Sequence, residues 1–315
     1  MSGAENPVAV AMLLPCFNEE VAIGAVVRAC RAALPAATVY VFDNNSTDRT
    51  VEVAREAGAV VRHVAQQGKG NVVRRMFADV EADVYVLLDG DGTYDTSCAP
   101  AMVAKLLDEG LDMVVGGRVT RSSDAYRAGH RFGNRLFSES VARLFGRGFT
   151  DILSGYRVFS RRFVKSFPAL ARGFEIETEL TVHALELRMP VAEVATPYGA
   201  RPEGSQSKLR TYRDGARILW AICKLFARER PMGFFGGGSA LLALAAVALA
   251  VPLFITYAET GLVPRLPTAI LASAMMLLAA LGAVCGLILD TVTLGRLEVK
   301  RLVYLGIAGP PARRP

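Results

Sequence analysis

The sequence predicts an α/β domain with a mostly parallel sheet, followed by an amphipathic interfacial helix and two transmembrane helices. Apolar runs of strand length alternate with helical patterns over the first part of the chain, as is typical of a sheet covered by helices on both faces. Two uncharged apolar stretches, residues 231–258 and 266–289, follow near the C-terminus. Each exceeds the roughly 20 residues that span a hydrocarbon core.

The strands and helices of the first domain follow in chain order. Strands are predicted at residues 8–14, 38–42, 60–64, 84–88 and 113–115, and helices at 20–33, 48–57, 71–81 and 99–109. Ser46 or Thr47 is expected to cap the second of these helices. The pattern is less regular further on, where helices at 131–145 and 174–187 and strands at 156–160 and 190–197 are predicted.

The apolar stretches predict spans at residues 236–258 and 267–289, joined by a short connection. A helical hairpin inside a soluble core is the alternative, but both stretches are apolar all round. Residues 211–231 combine apolar and basic side chains at helical spacing, which indicates a helix on the membrane surface; a plain core helix has the same pattern. The predicted division is residues 1–210, 211–231 and 232–315, the last with a basic tail.

The charge distribution gives the expected orientation in the membrane. Basic residues precede the first span and follow the second, whereas the connection holds only Arg265 against Glu259. This bias predicts a multi-pass protein of the cytoplasmic (inner) membrane, with the large domain and both termini in the cytoplasm. The net charge of +6 is explained by anionic lipid headgroups rather than by nucleic acid. The five cysteines show no spacing that predicts a disulfide framework.

Polar residues follow four successive predicted strands, which is where ligands bind in open α/β sheets. The last such segment is Asp89-Gly90-Asp91. Two carboxylates with a glycine between them can hold a divalent cation, Mg²⁺ or Mn²⁺, against a diphosphate. The same tripeptide also occurs in ordinary turns. Neither a glycine-rich dinucleotide loop nor a phosphate-binding P-loop is present in the sequence, which leaves a nucleotide held by acidic and amide side chains.

A set of motifs gives the chain a specific resemblance. The segments Pro15-Cys-Phe-Asn-Glu-Glu20, Asp43-Asn-Asn-Ser-Thr-Asp48, Gly68-Lys69-Gly70, Asp89-Gly-Asp-Gly-Thr93 and Ser154-Gly-Tyr-Arg157 stand in the order and spacing of inverting family 2 glycosyltransferases. The chain most resembles their membrane-anchored polyprenyl-phosphate branch, which is similar to dolichyl-phosphate mannose and glucose synthases. The resemblance implies a GT-A fold.

The resemblance also implies roles for individual residues. The donor-binding residues would be Pro15, Asn18, Glu20, Asp43, Lys69 and Asp89, with Asp43 reaching the base or ribose. Asp89 and Asp91 would address the donor diphosphate, Asp91 through the metal. Thr93 stands where mannose-type relatives commonly have glutamine, so a third metal ligand does not follow from the resemblance.

Glu177 and Glu179 are further catalytic candidates, because an acidic residue of this region faces the donor sugar or acceptor in related enzymes. A solvated helix start, which the helix dipole favours for acidic residues, is the alternative. Asp151 and Arg157 could form an ion pair or contact the sugar.

The acceptor site is predicted in the loop 201–208. A lipid phosphate monoester is already an anion, so the protein mainly needs cations that hold it in line for attack. Arg201 and Lys208, with Ser205 and Ser207 between them, supply such groups, and the resemblance places phosphate-binding residues here too. A solvated charged loop is the alternative.

The predicted reaction is metal-dependent transfer of a sugar from a nucleotide-diphosphate sugar to polyprenyl (undecaprenyl) phosphate, with inversion. Two alternatives stay open: a glycosyltransferase that acts on another lipid or a growing glycan, and a non-enzymatic membrane scaffold. A homo-oligomer is also compatible with the sequence, because the small residues of the spans can pack within one chain or between chains.

Overall fold

The computed structural model describes residues 8–120, 149–173, 175–199, 223–224 and 226–311. The predicted helix 131–145, the loop 201–208 and residues 211–222 and 225 of the predicted interfacial helix 211–231 lie outside these residues. The chain divides into two compact units. One comprises Met1–Tyr212 with Lys300–Pro315, and the other comprises Arg213–Val299.

One sheet organises the described part of the first unit. Its strands are β1 (Val10–Cys16), β2 (Thr38–Asp43), β3 (Val60–His63), β4 (Val84–Leu87), β5 (Met113–Thr120), β6 (Arg157–Ser160) and β7 (Val191–Tyr198). The strand order is β3-β2-β1-β4-β6-β5-β7. β6 runs antiparallel to both of its neighbours, and the other pairs are parallel. The predicted mostly parallel sheet is therefore confirmed.

Six α-helices accompany these strands in the described part of the unit. They are α1 (Glu20–Ala33), α2 (Thr50–Glu56), α3 (Lys69–Asp79), α4 (Ala99–Asp108), α5 (Arg161–Ser166) and α6 (Ile176–Glu186). Every residue of β4 and β6 is buried, because these strands lie inside the sheet and are covered on both faces. This burial explains why the central strands are continuous apolar runs rather than alternating ones.

Three helices begin at other residues than predicted, and a fourth was not predicted. α6 begins at Ile176 rather than at residue 174. α2 begins at Thr50 with Arg49 at the N-cap position, and the Asp48 carboxylate accepts the Thr50 N–H at 3.0 Å. Neither Ser46 nor Thr47 is therefore the cap. α3 begins at Lys69, two residues earlier than predicted, because the Gly70 N–H finds a tertiary partner in the Arg172 carbonyl at 3.1 Å. α5 was not predicted. Its signal is Ser160, whose hydroxyl accepts the Phe163 N–H at 3.2 Å, a typical N-cap bond.

The second unit contains α7 (Pro231–Thr260) and most of α8 (Leu266–Leu305). Both helices are long and apolar enough to cross a membrane. They contain the two predicted spans, and α8 continues well past the predicted end of its span. The buried residues within the spans are small and seven positions apart, Ser239 and Ala246 on α7 and Ala272, Ala279 and Gly286 on α8. Small side chains let two apolar helices approach closely where burial from water offers no driving force.

Candidate active site

The sheet brings three predicted polar segments to one edge. β1 lies between β2 and β4 and is parallel to both, with Cys16 opposite Asp43 and Leu13 opposite Leu87. The residues that follow these strands therefore leave the sheet at the same end. From β1 the chain moves to β2 and β3 on one side and to β4 on the other. Such a reversal of strand order opens a crevice at the carboxyl ends, where open α/β sheets bind their ligands.

A largely buried lysine links two carboxylates at this edge. Lys69 Nζ lies 2.5 Å from Asp89 Oδ1 and 2.6 Å from Glu177 Oε1. Burial by itself would lower the pKa of Lys69, but the charges of Asp89 and Glu177 and the hydrogen bonds to them outweigh it and raise that pKa well above its ordinary value. Lys69 is therefore a permanent cation between these two side chains, which we call the Lys69 cluster.

The second oxygen of Glu177 has no hydrogen-bond donor within the described part of the chain. Glu177 is 5% exposed, and its Oε2 is buried without a hydrogen-bond partner among the residues that the structure describes. A buried carboxylate oxygen without a donor is unfavourable by about 1–3 kcal/mol or more. This oxygen can accept a hydrogen bond from a hydroxyl group of a bound ligand.

Asp91 is held in a fixed orientation by its own turn. Its Oδ1 accepts the Thr93 hydroxyl at 2.6 Å and the Thr93 N–H at 3.1 Å, and both side chains are buried. Gly90 stands against Cys16, because a Cβ at this position would lie 2.5 Å from the Cys16 sulfur. Gly155 likewise makes room for Asp89, since a Cβ there would lie 2.7 Å from Asp89 Oδ2. The glycines of both motifs thus allow the two aspartates to sit in a tightly packed strand end.

The aspartates have the right chemistry for a hard divalent cation. Carboxylate oxygens are the ligands that Mg²⁺ and Mn²⁺ prefer. Among the described residues, no group of three or more His, Cys, Asp or Glu side chains is arranged to hold a metal ion. An ion held by Asp89 and Asp91 would therefore complete its shell with water and substrate phosphates, as Mg²⁺ commonly does.

Three predicted donor-binding residues shape the segment after β2. Asn18 Oδ1 accepts the Thr47 N–H at 2.8 Å, and Glu20 Oε2 accepts the Arg49 N–H at 2.9 Å. The carboxylate of Asp43 is buried and accepts the Ser46 N–H at 3.2 Å, while its other oxygen lies 3.2 Å from His63 Nδ1. Asn18 adopts a positive φ of 53°, which asparagine tolerates better than most residues. Pro15 pairs with Phe42 inside the sheet. That these residues bind the donor stays a prediction.

Sequence reasoning missed Asn44, which fixes the loop before Lys69. Its side-chain amide donates to the Val64 and Gln66 carbonyls at 3.0 and 2.9 Å, and its Oδ1 accepts the Gly68 N–H at 2.7 Å. The signal was available in the motif that begins at Asp43. Asparagine carries both a donor and an acceptor, so it can bind one loop through two carbonyls and an amide.

Asp151 pairs with Arg118 rather than with Arg157. Arg118 donates to both Asp151 oxygens, at 2.6 and 2.8 Å. Arg157 is fully buried, and its guanidinium donates to the Ser154 and Ile152 carbonyls and to the Thr181 hydroxyl at 2.6–2.9 Å. Burial lowers the pKa of Arg157 to about 10. Carbonyl dipoles therefore hold this arginine in the core, which is a structural arrangement.

Glu179, the second acidic candidate on α6, does not contact Lys69. Its two oxygens accept the Leu170 and Ala171 N–H groups at 3.1 and 2.7 Å. The predicted acceptor residues Arg201, Ser205, Ser207 and Lys208 lie outside the described residues.

Comparisons with known proteins agree with the motifs. Residues 12–167 match the family described as Glycosyl transferase family 2. Glycosyltransferase AglJ of Haloferax volcanii is 36% identical over 254 residues, which cover 80% of this chain and 82% of that protein. The dolichyl-phosphate hexose transferase of the same organism is 29% identical over 220 residues, which cover 70% of this chain and 95% of that protein.

A solved structure shares the fold. Glucosyl-3-phosphoglycerate synthase from Mycobacterium tuberculosis, in complex with Mn²⁺, uridine diphosphate and phosphoglyceric acid, superposes with a TM-score of 0.55 at 25% identity. The match covers 70% of this chain and 78% of that one. The GT-A-like fold predicted from the sequence is confirmed.

Proposed function

Because the chain belongs to glycosyltransferase family 2, we propose that it transfers a sugar from a nucleotide-diphosphate donor to a polyprenyl phosphate, with inversion at the anomeric carbon. The observation that carries this proposal is the Lys69 cluster beside Asp91. It brings together carboxylates, a permanent cation and a buried oxygen that has no hydrogen-bond partner among the described residues. These groups lie near the carboxyl ends of the strands, where open α/β sheets bind their ligands.

On the donor side, each group of the site has a chemical task. The Lys69 ammonium stabilises negative charge that develops on the departing diphosphate. Glu177 Oε2 accepts a hydrogen bond from a hydroxyl of the donor sugar and so orients the anomeric carbon. Asn18, Glu20 and Asp43 form the nucleotide side of the pocket, together with the segment that they hold. Glu177 is thus the catalytic candidate that the geometry supports best.

Asp89 and Asp91 would hold a divalent cation, which supplies positive charge to the leaving diphosphate when it is bound. The solved relative at 25% identity contains Mn²⁺ together with uridine diphosphate, which supports the same type of ion here. The Thr93 hydrogen bonds keep the Asp91 carboxylate in place for this role.

The lipid acceptor is supported by two observations. Two helices long and apolar enough to cross a membrane follow the catalytic domain, and one relative is named dolichyl-phosphate hexose transferase. An anchored enzyme meets a phosphate headgroup at the membrane surface, where Arg201, Ser205, Ser207 and Lys208 would bind it. The basic residues that flank the spans support an orientation with the catalytic domain and both termini on the cytoplasmic side.

The test is a transfer assay with purified full-length protein in detergent. A panel of nucleotide-diphosphate sugars is incubated with undecaprenyl phosphate and Mg²⁺ or Mn²⁺, the glycolipid is identified by mass, and its anomeric configuration by NMR. Asp91→Asn keeps the shape of the side chain and one acceptor oxygen but removes the charge. We expect it to lower transfer by about a hundredfold or more.

Asp108→Asn, at an exposed position on α4, is the matched control and should transfer sugar at the wild-type rate. Full activity of Asp91→Asn, or full activity in EDTA, contradicts the metal site. A product that forms on diacylglycerol or an oligosaccharide but not on undecaprenyl phosphate contradicts the proposed acceptor.

A further inference from the structure

We propose that Glu179 is a positioning residue, which holds the loop 169–172 against the start of α3 and thereby keeps Lys69 between Asp89 and Glu177. This inference rests on the proposed function, in which Lys69 belongs to the donor site. It gives Glu179 a role at a distance from the substrate instead of the catalytic role that its sequence position first indicated.

The first link is the way in which α3 begins. The opening N–H groups of a helix have no partner inside the helix, and the residue before α3 is Gly68, which has no side chain to cap them. The Gly70 N–H instead donates to the carbonyl of Arg172 at 3.1 Å. The contact is close, since a Cβ on Gly70 would collide with the Ala171 carbonyl and one on Gly68 with the Arg172 carbonyl. The loop 169–172 therefore serves as the cap of α3, at the residue next to Lys69.

The second link is the hold of Glu179 on this loop. Its carboxylate accepts the N–H groups of Leu170 and Ala171 at 3.1 and 2.7 Å, and hydrogen bonds to a charged acceptor are stronger than neutral ones. Ala169 adopts a φ of 47°, a left-handed conformation that is uncommon for alanine and needs support from its surroundings. With its amides directed to Glu179, the loop presents its carbonyls to α3.

The third link is the geometry of α6. Glu177 and Glu179 are two residues apart, so they project about 200° from each other around the helix. Only one of these two side chains can therefore contact Lys69 directly. Glu177 contacts the ammonium directly, whereas Glu179 reaches it through the loop and the first turn of α3. A single helix thus fixes Lys69 by two routes, and loosening the loop should free the lysine from its carboxylates.

The test reads the environment of Lys69 without any turnover. Full-length protein in detergent is pulse-labelled with acetic anhydride, and acetylation of Lys69 is measured by mass spectrometry relative to Lys105 on α4. The reagent must reach the amine, so the labelling rate reports how firmly Lys69 is enclosed by Asp89 and Glu177. Glu179→Gln offers the loop one acceptor oxygen instead of two. Because this weakens the hydrogen bonds of a charged acceptor, we expect Lys69 to be labelled about tenfold faster or more.

A second variant approaches the same loop from its other side. Gly70→Ala pushes against the Ala171 carbonyl and should also accelerate labelling of Lys69. The double variant should label no faster than the faster single variant, because both changes act through one contact. Glu175→Gln, an exposed position at the start of the same helix, is the control and should leave the Lys69 to Lys105 ratio unchanged.

The proposal is overturned if Glu179→Gln folds and Lys69 reacts as in the wild type, even where the unfolding temperature falls. If that variant does not fold, Gly70→Ala decides in the same way. Because labelling needs neither donor nor acceptor, a protein that transfers no sugar to polyprenyl phosphate still gives a clear answer about Glu179.

Discussion

At the scale of single residues, the described part of the site combines three carboxylates with one ammonium in a largely buried place. Lys69 compensates part of the charge of Asp89 and Glu177, and the balance of these described charges stays negative once Asp91 is included. Charges of one sign at this density attract a cation. The arrangement therefore favours binding of a metal ion together with an anionic diphosphate over binding of the diphosphate alone.

A residue outside the site gives a prediction for pH. His183 is buried, with Nε2 3.1 Å from the Ser166 hydroxyl and the rings of Phe163 and Phe167 at its edges. Burial, with a smaller contribution from the charge of Lys300, lowers its pKa to about 3. Below the ordinary pKa of about 6.5, the unfolded chain binds a proton that the folded chain does not.

The contribution of this residue to the free energy of unfolding should therefore fall on acidification below pH 6.5, with a slope that approaches about 1.4 kcal/mol per pH unit near pH 5. Above pH 7.5, His183 is expected to contribute nothing to the pH dependence of the free energy of unfolding. Chemical unfolding of the wild type and of His183→Gln, measured at both ends of this range, checks the prediction. The free energy of unfolding should depend more steeply on pH in the wild type than in His183→Gln. Equal slopes would exclude His183 as the source of this pH dependence.

At the scale of elements, local signals predicted most of the fold. α1 begins and ends where the sequence placed it, and the apolar runs located β1 to β4 within two residues at each end. The misses have tertiary causes. The glycines around Lys69 predicted a loop, but a carbonyl from a distant segment caps α3 there. The antiparallel placement of β6 depends on long-range pairing with β4 and β5, which no local pattern encodes.

The candidate site likewise contains residues that local signals predict and contacts that depend on the tertiary structure. The strand-end rule identified Asp43, Asp89 and Asp91, because their position depends only on the strands before them. The contact between Lys69 and Glu177 joins two helices that are far apart in the chain. Spacing alone could not show which of the two nearby glutamates on α6 would face the lysine.

The packing of α7 on α8 gives a prediction at this scale. Ala279 is 4% exposed and belongs to the row of small residues that lets the helices approach. Ala279→Leu should separate them and lower stability by about 1–3 kcal/mol, as overpacking does elsewhere. Ala280→Leu changes the neighbouring residue, which is exposed, and should have little effect. Unfolding temperatures in the same detergent compare the two, and equal losses would argue against this packing face.

At the scale of the whole molecule, the end of the chain is part of the first unit. Lys300 forms an ion pair with Glu186 at 2.7 Å, and the Tyr304 hydroxyl donates to Asp112 at 2.8 Å. Asp112 is fully buried and also binds the guanidinium of Arg162 and the hydroxyl of Ser160. The last turns of α8 therefore add contacts to the domain that carries the site.

Tyr304→Phe tests this contribution, since it removes the hydroxyl but keeps the ring over which the Arg162 guanidinium lies at 4.8 Å. Asp112 retains its other partners, so we expect the free energy of unfolding to fall by about 1 kcal/mol, the usual size for one hydrogen bond.

Tyr257→Phe, at an exposed tyrosine on α7, is the matched control. The readout is the unfolding temperature in detergent, with proteolysis of the first unit measured in parallel. If Tyr304→Phe and Tyr257→Phe behave alike in both measurements, the Tyr304 hydroxyl does not stabilise the first unit. If only Tyr304→Phe is weakened, a truncation before the membrane helices removes a stabilising part of the domain along with the anchor.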